Sequence, residues 1–346
     1  MRKIATLGLL VLGVCGLCAS SAGAAEEFDK YEIESASVEL SSLQAGAHAD
    51  FTTSFELSEK EGKPYATTRD IEVILPPGMI GNPQGIPRCT VAQLGNVPED
   101  SECPIDSQVG ITEVTVGGLL TGTFEEPIYN MEPPGGDIVA RFGFFAGAYP
   151  AFLNIRVDPI DYSLIATLES APSAAGLLAA RTTLWGVPAA PTHDEQRLTP
   201  FEAINGGAPP GGRPAGLPEA PFLSNPTDCS LQREVTIIAR SYQLPNQPSV
   251  KTVPFPQIIG CSQLDFKPAF TAVPTNPEAS APTGLDAELV IPQDETPQGR
   301  ATSTLKSAVV SLPEGFTINP AAGDGLAACS PQEVGFGTTE APRCPD

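Results

Sequence analysis

The sequence predicts an all-β protein built from disulfide-linked, immunoglobulin-like β-sandwich units, one complete and one incomplete. Three observations predict it: short β-branched and aromatic segments alternate with turn residues, six cysteines follow the N-terminal leader, and one stretch of chain is repeated. The chain has 33 glycines and 37 prolines in 346 residues, so turns are frequent. Because apolar residues recur between them, the pattern favours short strands over disorder.

The first 25 residues are typical of a secretory signal peptide. Arg2 and Lys3 give a positive start, residues 4–17 carry no charge, and residues 22–24 (Ala-Gly-Ala) fit a small-residue cleavage site. The apolar stretch is short for a membrane span. The sequence therefore predicts a protein that is secreted, or exported and held at the cell surface.

Acidic residues dominate the charge. There are 41 Asp and Glu against 19 Lys and Arg, and the formal net charge is −22. Phosphate backbones repel such a chain, so we expect no nucleic-acid partner. Beyond the leader, no segment is apolar enough to predict a transmembrane span.

Six cysteines lie beyond the leader, and an even number in an exported chain predicts disulfides. They are Cys89, Cys103, Cys229, Cys261, Cys329 and Cys344. Six cysteines can pair in 15 ways, and spacing favours the neighbour pairs 89–103, 229–261 and 329–344. Because none of these six cysteines lies in a C-x-x-C motif and the chain has only two histidines, we expect no metal site and no cofactor. In the leader, Cys15 and Cys18 invite a lipoprotein interpretation, but Val14 and Leu17 before them are bulkier than such a site usually has.

Strands are predicted from alternating apolar and polar residues between turns. The predicted strands are 32–40, 49–57, 68–75, 138–145, 152–157, 163–168, 181–187 and 234–242. Residues 188–225 are rich in proline and glycine and predict a long irregular insertion. Inside it, Thr192 and Glu195 have the spacing of a capping box, which indicates one helical turn.

An internal repeat is the most informative pattern. The matched pairs are Leu75-Pro76-Pro77-Gly78 with Leu312-Pro313-Glu314-Gly315, Asn82-Pro83 with Asn319-Pro320, and the Cys89 to Cys103-Pro104 loop with Cys329 to Cys344-Pro345. Residues 308–312 precede the second Leu-Pro motif as residues 71–75 precede the first. Because residues 71–75 lie in a predicted strand, residues 308–312 are predicted as a strand too. The repeat predicts a first unit over residues 26–263 and the start of a second over residues 266–346.

These motifs resemble the repeated LPxG…NP…C…CP units of large, uncharacterised secreted or cell-surface proteins of actinobacteria. The resemblance also covers residues 184–188, 193–194 and 222–229. It implies an extracellular, multi-domain protein whose chain continues past the Cys-Pro-Asp with which this sequence stops. We therefore expect a truncated second unit. The family has no assigned catalytic residues that could be carried over.

The search for catalytic residues yields none. No G-x-S-x-G elbow occurs, and the one local histidine–carboxylate pair, His193 and Asp194, lies in the insertion. Asp158 and Asp161 are the glycosidase candidates, but they also fit a turn between strands. The acidic residues 99–102 lack the alternating ligand spacing of a calcium loop.

Trp185 is the only tryptophan, and it predicts either a ligand contact together with His193 or a cover for the core. The leading hypothesis is a non-catalytic extracellular protein with a structural or adhesive role toward an unknown extracellular or cell-wall ligand. The alternative is a β-sandwich module that binds carbohydrate or another ligand. A secreted hydrolase comes third.

Overall fold

The structure is a computed structural model that describes residues 28–345, except 231, 318, 320–324, 326 and 336–340. The predicted signal peptide, residues 1–25, lies outside the described residues. In the part of the chain that is described, no helix is long and apolar enough to cross a membrane.

Strands form most of the regular structure. They are β1 Ile33–Leu40, β2 Phe51–Leu57, β3 Glu59–Lys60, β4 Lys63–Pro64, β5 Thr68–Ile74, β6 Ile80–Gly81, β7 Gln108–Gly117, β8 Thr121–Met131, β9 Ala140–Ala146, β10 Tyr149–Val157, β11 Leu164–Leu168, β12 Leu177–Leu184, β13 Leu223–Ser224, β14 Glu234–Ser241, β15 Ser249–Pro254, β16 Ala269–Pro274 and β17 Leu285–Val290. The predicted all-β fold is confirmed.

Helices are short and lie in the connections. The α-helices of the described residues are α1 Val91–Leu94, α2 Pro200–Asn205 and α3 Pro331–Val334, and the 3-10 helices are Pro98–Asp100, Ile105–Ser107, Pro191–Gln196 and Cys261–Gln263. None is long enough to form a packing layer of its own, so the strands define the architecture.

One antiparallel sheet of eleven strands, in the order β1-β2-β12-β7-β8-β9-β10-β11-β5-β14-β15, forms the body of the protein. Its two edge strands meet: the Ile33 N–H donates to Ser249 Oγ at 2.8 Å, and Lys251 Nζ donates to the Glu34 carbonyl at 3.1 Å. The sheet therefore curls back on itself like a sandwich, and neither edge is left open to other chains. The immunoglobulin-like detail stays a prediction.

The core lies inside the curled sheet, and β14 shows how the sequence builds it. Val235, Ile237 and Ala239 are fully buried, while the residues between them are less buried. Successive side chains of a strand point to opposite faces, so this alternation places every second residue in the core. Other strands contribute in the same way to a single large apolar cluster.

A second apolar cluster lies on the outer face of β8 and β9. Its buried members are Cys89, Leu94, Cys103, Tyr129, Met131 and Phe145. Helix α1 begins with a capping box in which Thr90 accepts the Gln93 N–H and the Gln93 side chain accepts the Thr90 N–H. The loop between Cys89 and Cys103 therefore holds Leu94 against the sheet.

The three predicted disulfides are present. Their Cα–Cα distances are 5.2 Å for Cys89–Cys103, 5.9 Å for Cys229–Cys261 and 5.2 Å for Cys329–Cys344. These distances lie in the usual range for disulfides. Three disulfides fit an oxidising compartment such as the cell exterior.

Removing the first disulfide should destabilise the sheet. A Cys89→Ser/Cys103→Ser variant opens a loop of sequence separation 14, and we expect the free energy of unfolding to fall by about 3 kcal/mol. Urea titration under non-reducing conditions measures it. The matched control is Cys329→Ser/Cys344→Ser, whose helix α3 buries no residue. The control loop has a similar separation of 15, but its helix packs no buried residue against the sheet, so opening it should leave the unfolding of the sheet nearly unchanged. Equal losses in both variants would contradict the stabilising role assigned to the outer cluster.

The predicted second unit begins with an isolated ribbon. Within the described part of the chain, strands β16 and β17 pair only with each other, and large apolar side chains such as Phe270, Val273 and Leu289 are exposed on them. The chain then touches the first sheet, where the Ala301 N–H donates to the Gly46 carbonyl at 2.7 Å. Residues 308–312, predicted as a strand, have no strand partner in the structure.

The two short disulfide loops have matching local structure. Helix α3 begins with a capping box of Ser330 and Glu333 and ends at Gly335, as α1 begins with Thr90 and Gln93 and ends at Gly95. In each loop the N-cap residue directly follows the first cysteine of the disulfide. The matched residues of the two loops are separated along the chain by the same number of residues as Cys89 and Cys329.

Candidate ligand-binding cavity

The insertion 188–225 is more ordered than its composition predicts. Its helices lie at Pro191–Gln196 and Pro200–Asn205. The capping box is formed by Thr199 and Glu202, while the 3-10 helix over Thr192 and Glu195 has no side-chain cap. The predicted helical turn is thus present, but the capping box lies seven residues further along the chain, at the start of the next helix.

Trp185 and His193, the two predicted ligand contacts, pack together inside the protein. Their rings stack at 4.5 Å between centroids with an interplanar angle of 9°, and only 1% and 6% of their surfaces are exposed. The Arg197 guanidinium lies 5.5 Å from the centre of the tryptophan ring. Neither ring offers a face to a ligand at the surface, so this cluster joins the insertion to the sheet.

His193 does not pair with Asp194, although the two residues are adjacent in the sequence. Its Nε2 lies 3.5 Å from Asp50 Oδ1, which also accepts the Gly186 N–H at 2.8 Å. Asp194 instead accepts a hydrogen bond from Arg197 at 3.3 Å. The carboxylates of Asp50 and Asp194 thus stabilise the fold of the insertion.

His48 meets a serine, but the geometry does not activate that serine. His48 Nδ1 lies 2.9 Å from Ser224 Oγ and 3.0 Å from the Leu223 carbonyl. Because a carbonyl can only accept, Nδ1 carries the proton and cannot take one from Ser224. The contact fixes β13 to the chain before β2.

The acidic candidates lie in turns. Asp158 Oδ1 accepts the Ile160 N–H at 2.7 Å and Asp161 Oδ1 accepts the Ser163 N–H at 2.9 Å, and these Ser163 hydrogen bonds lower the pKa of Asp161. Residues 99–102 lie in the loop over the outer cluster. Among the described residues, no group of three or more His, Cys, Asp or Glu side chains is placed to hold a metal ion.

A cavity of about 390 Å³ lies inside the curled sheet. Seven strands, β2, β5, β7, β9, β10, β11 and β12, contribute inward-facing side chains to its wall, and these are mainly apolar; examples are Phe144, Leu153, Ala166, Leu168, Ala180 and Leu184. Met79, Phe222 and Leu223 line it from segments outside the sheet. Its size and lining are those of a site for a small apolar molecule.

The cavity occupies only one side of the interior. Val235, Ile237 and Ala239 on β14 are fully buried in packed core, whereas inward residues of β10 and β11, such as Leu153 and Ala166, are only half-buried. Protein interiors are normally packed as densely as organic crystals. A cavity of this size between well-formed strands is therefore a specific feature of the part of the sheet that contains β10 and β11.

The cavity opens to solvent beside Val139 and Val157. Both line the cavity, yet 45% and 39% of their surfaces are exposed. Ile160, in the connection between β10 and β11, is 88% exposed, so apolar surface continues outward from Val157. An apolar molecule therefore has a route from solvent to the interior.

A row of polar residues crosses one wall of the cavity. Thr53, Thr182 and Thr112 are opposite one another on the adjacent strands β2, β12 and β7, and all three line the cavity. Thr112 Oγ1 and Thr182 Oγ1 are hydrogen-bonded at 2.9 Å. These hydroxyls are a small polar patch in an otherwise apolar lining.

Glu126 on β8 extends this row. It is opposite Thr112 in the β7–β8 pair and is fully buried. Neither carboxyl oxygen has a hydrogen-bond partner in the part of the chain that the structure describes. Burial raises the pKa of Glu126 to about 8, because the charged form loses its hydration. The side chain is therefore mostly protonated at neutral pH.

Comparison with known proteins gave no match, either to a protein-family model or to a curated protein. The function proposed below therefore rests on the geometry of the cavity and its surroundings.

Proposed function

We propose that this chain is a non-catalytic, extracellular binding protein for an apolar small molecule. The observation that carries the proposal is the cavity of about 390 Å³ between β12 and β11, with apolar walls and an opening beside Val139. Ligand pockets commonly have volumes of roughly 300–1,000 Å³ and are lined by apolar side chains with a few polar groups. The sequence alternative of a ligand-binding module is thereby favoured, with an apolar ligand in place of carbohydrate.

The expected affinity follows from the buried surface. Each methylene group transferred from water to the cavity contributes about 0.8 kcal/mol, so an alkyl chain of about ten carbons gains roughly 8 kcal/mol before the entropic cost of association. A dissociation constant of about 1 μM corresponds to roughly −8 kcal/mol. We therefore expect micromolar or weaker binding.

Export is supported by the leader and by the disulfides. Residues 1–25 have the features of a signal peptide, and three disulfides suit an oxidising environment. An exported carrier of this kind keeps an apolar molecule in solution between the surfaces that release and receive it. The strongly acidic surface disfavours nucleic acid and anionic membranes as partners.

The structural or adhesive role remains a second candidate. It is favoured by the matching disulfide loops of Cys89 and Cys329 and by the exposed apolar ribbon of β16 and β17, which support a tandem-repeat protein of the actinobacterial type. In such a protein the ribbon begins the next unit, and the cavity belongs to each complete unit. The two candidates differ in whether the cavity takes up a ligand.

Filling the cavity tests the proposal. The fluorescent probe N-phenylnaphthylamine should bind the mature protein, and Ala166→Phe should weaken its affinity about tenfold or more because the new ring occupies the cavity. The variant should not be less stable, since its ring enters free space. Fluorescence titration and thermal unfolding measure both effects.

Ala239→Phe is the matched control. Ala239 faces inward on β14, two strands from β11, but it is fully buried in packed core. Overpacking should cost roughly 1–3 kcal/mol of stability while the folded fraction keeps the probe affinity within about twofold. Probe binding that survives Ala166→Phe unchanged would contradict a ligand site in this cavity.

A further inference from the structure

The polar row inside the cavity restricts which apolar molecules fit it. Thr53, Thr182 and Thr112 are aligned across three adjacent strands and line the cavity, and Glu126 is opposite Thr112 on a fourth. The neighbouring lining positions along these strands, such as Phe55, Ala180 and Val114, are apolar. The row is therefore the largest group of adjacent polar side chains in the lining, which elsewhere contains the polar residues Thr68 and Gln84.

The row has unused hydrogen-bonding capacity. A threonine hydroxyl has one donor and two acceptor positions, and the Thr112–Thr182 hydrogen bond uses only one donor and one acceptor. At the end of the row, the Glu126 carboxyl is buried and without a hydrogen-bond partner in the described chain. Buried polar groups usually have partners, and each exception calls for an explanation. A ligand with a polar end would use the free capacity of the three threonines, which line the cavity, whereas Glu126 lies behind them and does not.

Charge excludes an ionised head group. None of the described residues that line the cavity is a lysine, arginine or histidine. A buried carboxylate or phosphate would therefore have no countercharge, which costs more than a buried neutral group.

We propose that the ligand is a neutral, single-chain amphiphile whose hydroxyl-type head group hydrogen-bonds to the Thr53–Thr182–Thr112 row while its alkyl chain fills the apolar remainder of the cavity. The inference rests on the proposed function, since it names the chemical class of the molecule that the same cavity takes. Long-chain alcohols are the simplest members of this class, and long-chain carboxylates are excluded from it.

The test compares decanol with decanoate on the full mature chain. Each ligand competes with the bound probe N-phenylnaphthylamine at neutral pH, where decanoate is ionised. We expect decanol to bind at least tenfold more tightly than decanoate. Equal affinities would overturn the inference.

A paired substitution tests the row itself. In Thr112→Val/Thr182→Val both partners of one hydrogen bond become apolar groups of similar shape, which leaves stability nearly unchanged. We expect decanol affinity to fall about tenfold and probe affinity to stay within about twofold. The matched control is Thr115→Val/Thr123→Val, which removes a similar Oγ1–Oγ1 hydrogen bond of 2.9 Å on the outer face of the β7–β8 pair.

The outcomes separate the inference from the proposed function. Unchanged decanol affinity in Thr112→Val/Thr182→Val, with the probe still bound, would overturn the polar row and leave the apolar site standing. Loss of decanol affinity in the exposed control as well would also overturn it, because the effect would not belong to the cavity. If neither the probe nor decanol binds the unmodified protein, both proposals fail.

Discussion

The free energy of unfolding of the mature chain should fall as the pH rises from about 4.5 to about 8, with Glu126 as the main cause. Burial raises the pKa of this carboxyl to about 8 from its ordinary value of 4.5. Between these values the folded protein keeps a proton that the unfolded chain has lost. Stability decreases with pH wherever the folded state binds more protons, here by about 1.4 kcal/mol per pH unit.

Outside this window the contribution of Glu126 is constant. Below about 4.5 the carboxyl is protonated in both states, and above about 8 it is ionised in both. The total loss should be roughly 5 kcal/mol, which follows from the same energy per pH unit over this window. Tyr129, whose pKa is also raised by burial, stays neutral throughout the window.

Urea titrations at several pH values, followed by the fluorescence of the buried Trp185, measure this slope. Glu126→Gln removes the titrating group with little change in shape, so its stability should be nearly flat over the window. Glu125→Gln is the comparison at the adjacent, outward-facing position; burial and the nearby Glu113 also raise the pKa of Glu125, so this variant should lose only part of the slope, and less than Glu126→Gln. A Glu126→Gln protein that keeps the full slope would contradict the assignment.

Replacing Arg197 with alanine should destabilise the protein by roughly 3–5 kcal/mol, as removal of one member of a buried ion pair does. Arg197 is 1% exposed and donates hydrogen bonds to the Arg213 carbonyl at 2.9 Å, the Pro188 carbonyl at 3.0 Å and Asp194 at 3.3 Å. Its guanidinium also faces the Trp185 ring. One side chain thus joins both ends of the helical part of the insertion to the sheet.

Chemical unfolding measures the loss, and limited proteolysis should show new cuts within residues 188–225. Arg181→Ala is the matched control, because Arg181 pairs with Glu39 at 3.1 Å at the surface, where ion pairs contribute little. We expect that variant to stay within about 1 kcal/mol of the parent. Similar losses in the two variants would contradict the role of Arg197 as a buried anchor.

Much of the sheet can be predicted from the sequence, because its strands alternate and are bounded by turns. The predicted segments 32–40 and 234–242 agree with β1 and β14 to within one residue. The prediction over 181–187 is displaced from β12, Leu177–Leu184. The first half of β12 is alanine-rich, and alanine has little strand preference. Local composition therefore does not mark the start of this strand.

Strands β7 and β8 were missing from the prediction, although the signal for β7 is present. Residues 113–116, Glu-Val-Thr-Val, alternate polar and apolar side chains. In β8, Pro127 interrupts the pattern and suggests an edge strand or loop, yet β8 is paired on both sides. Glu126, next to this proline, could not be expected at a fully buried position from its residue type.

The cavity could not be predicted from the sequence for a general reason. Residues that line it, such as Leu153 and Ala166, have the same apolar character as Ile237 and Ala239 in packed core. Whether an inward-facing residue meets another side chain or free space depends on the curvature of the sheet and the order of its strands. The threonine row likewise appears only when β2, β12 and β7 are placed side by side.

A crystal structure of the mature protein grown with decanol would test the apolar site most directly. We predict electron density for an extended chain between β12 and β11, with its hydroxyl oxygen in hydrogen-bonding distance of Thr112 or Thr182. Density that instead shows the side chains of Leu153, Ala166 and Ala180 packed against one another, with no room for the alkyl chain, would contradict the account.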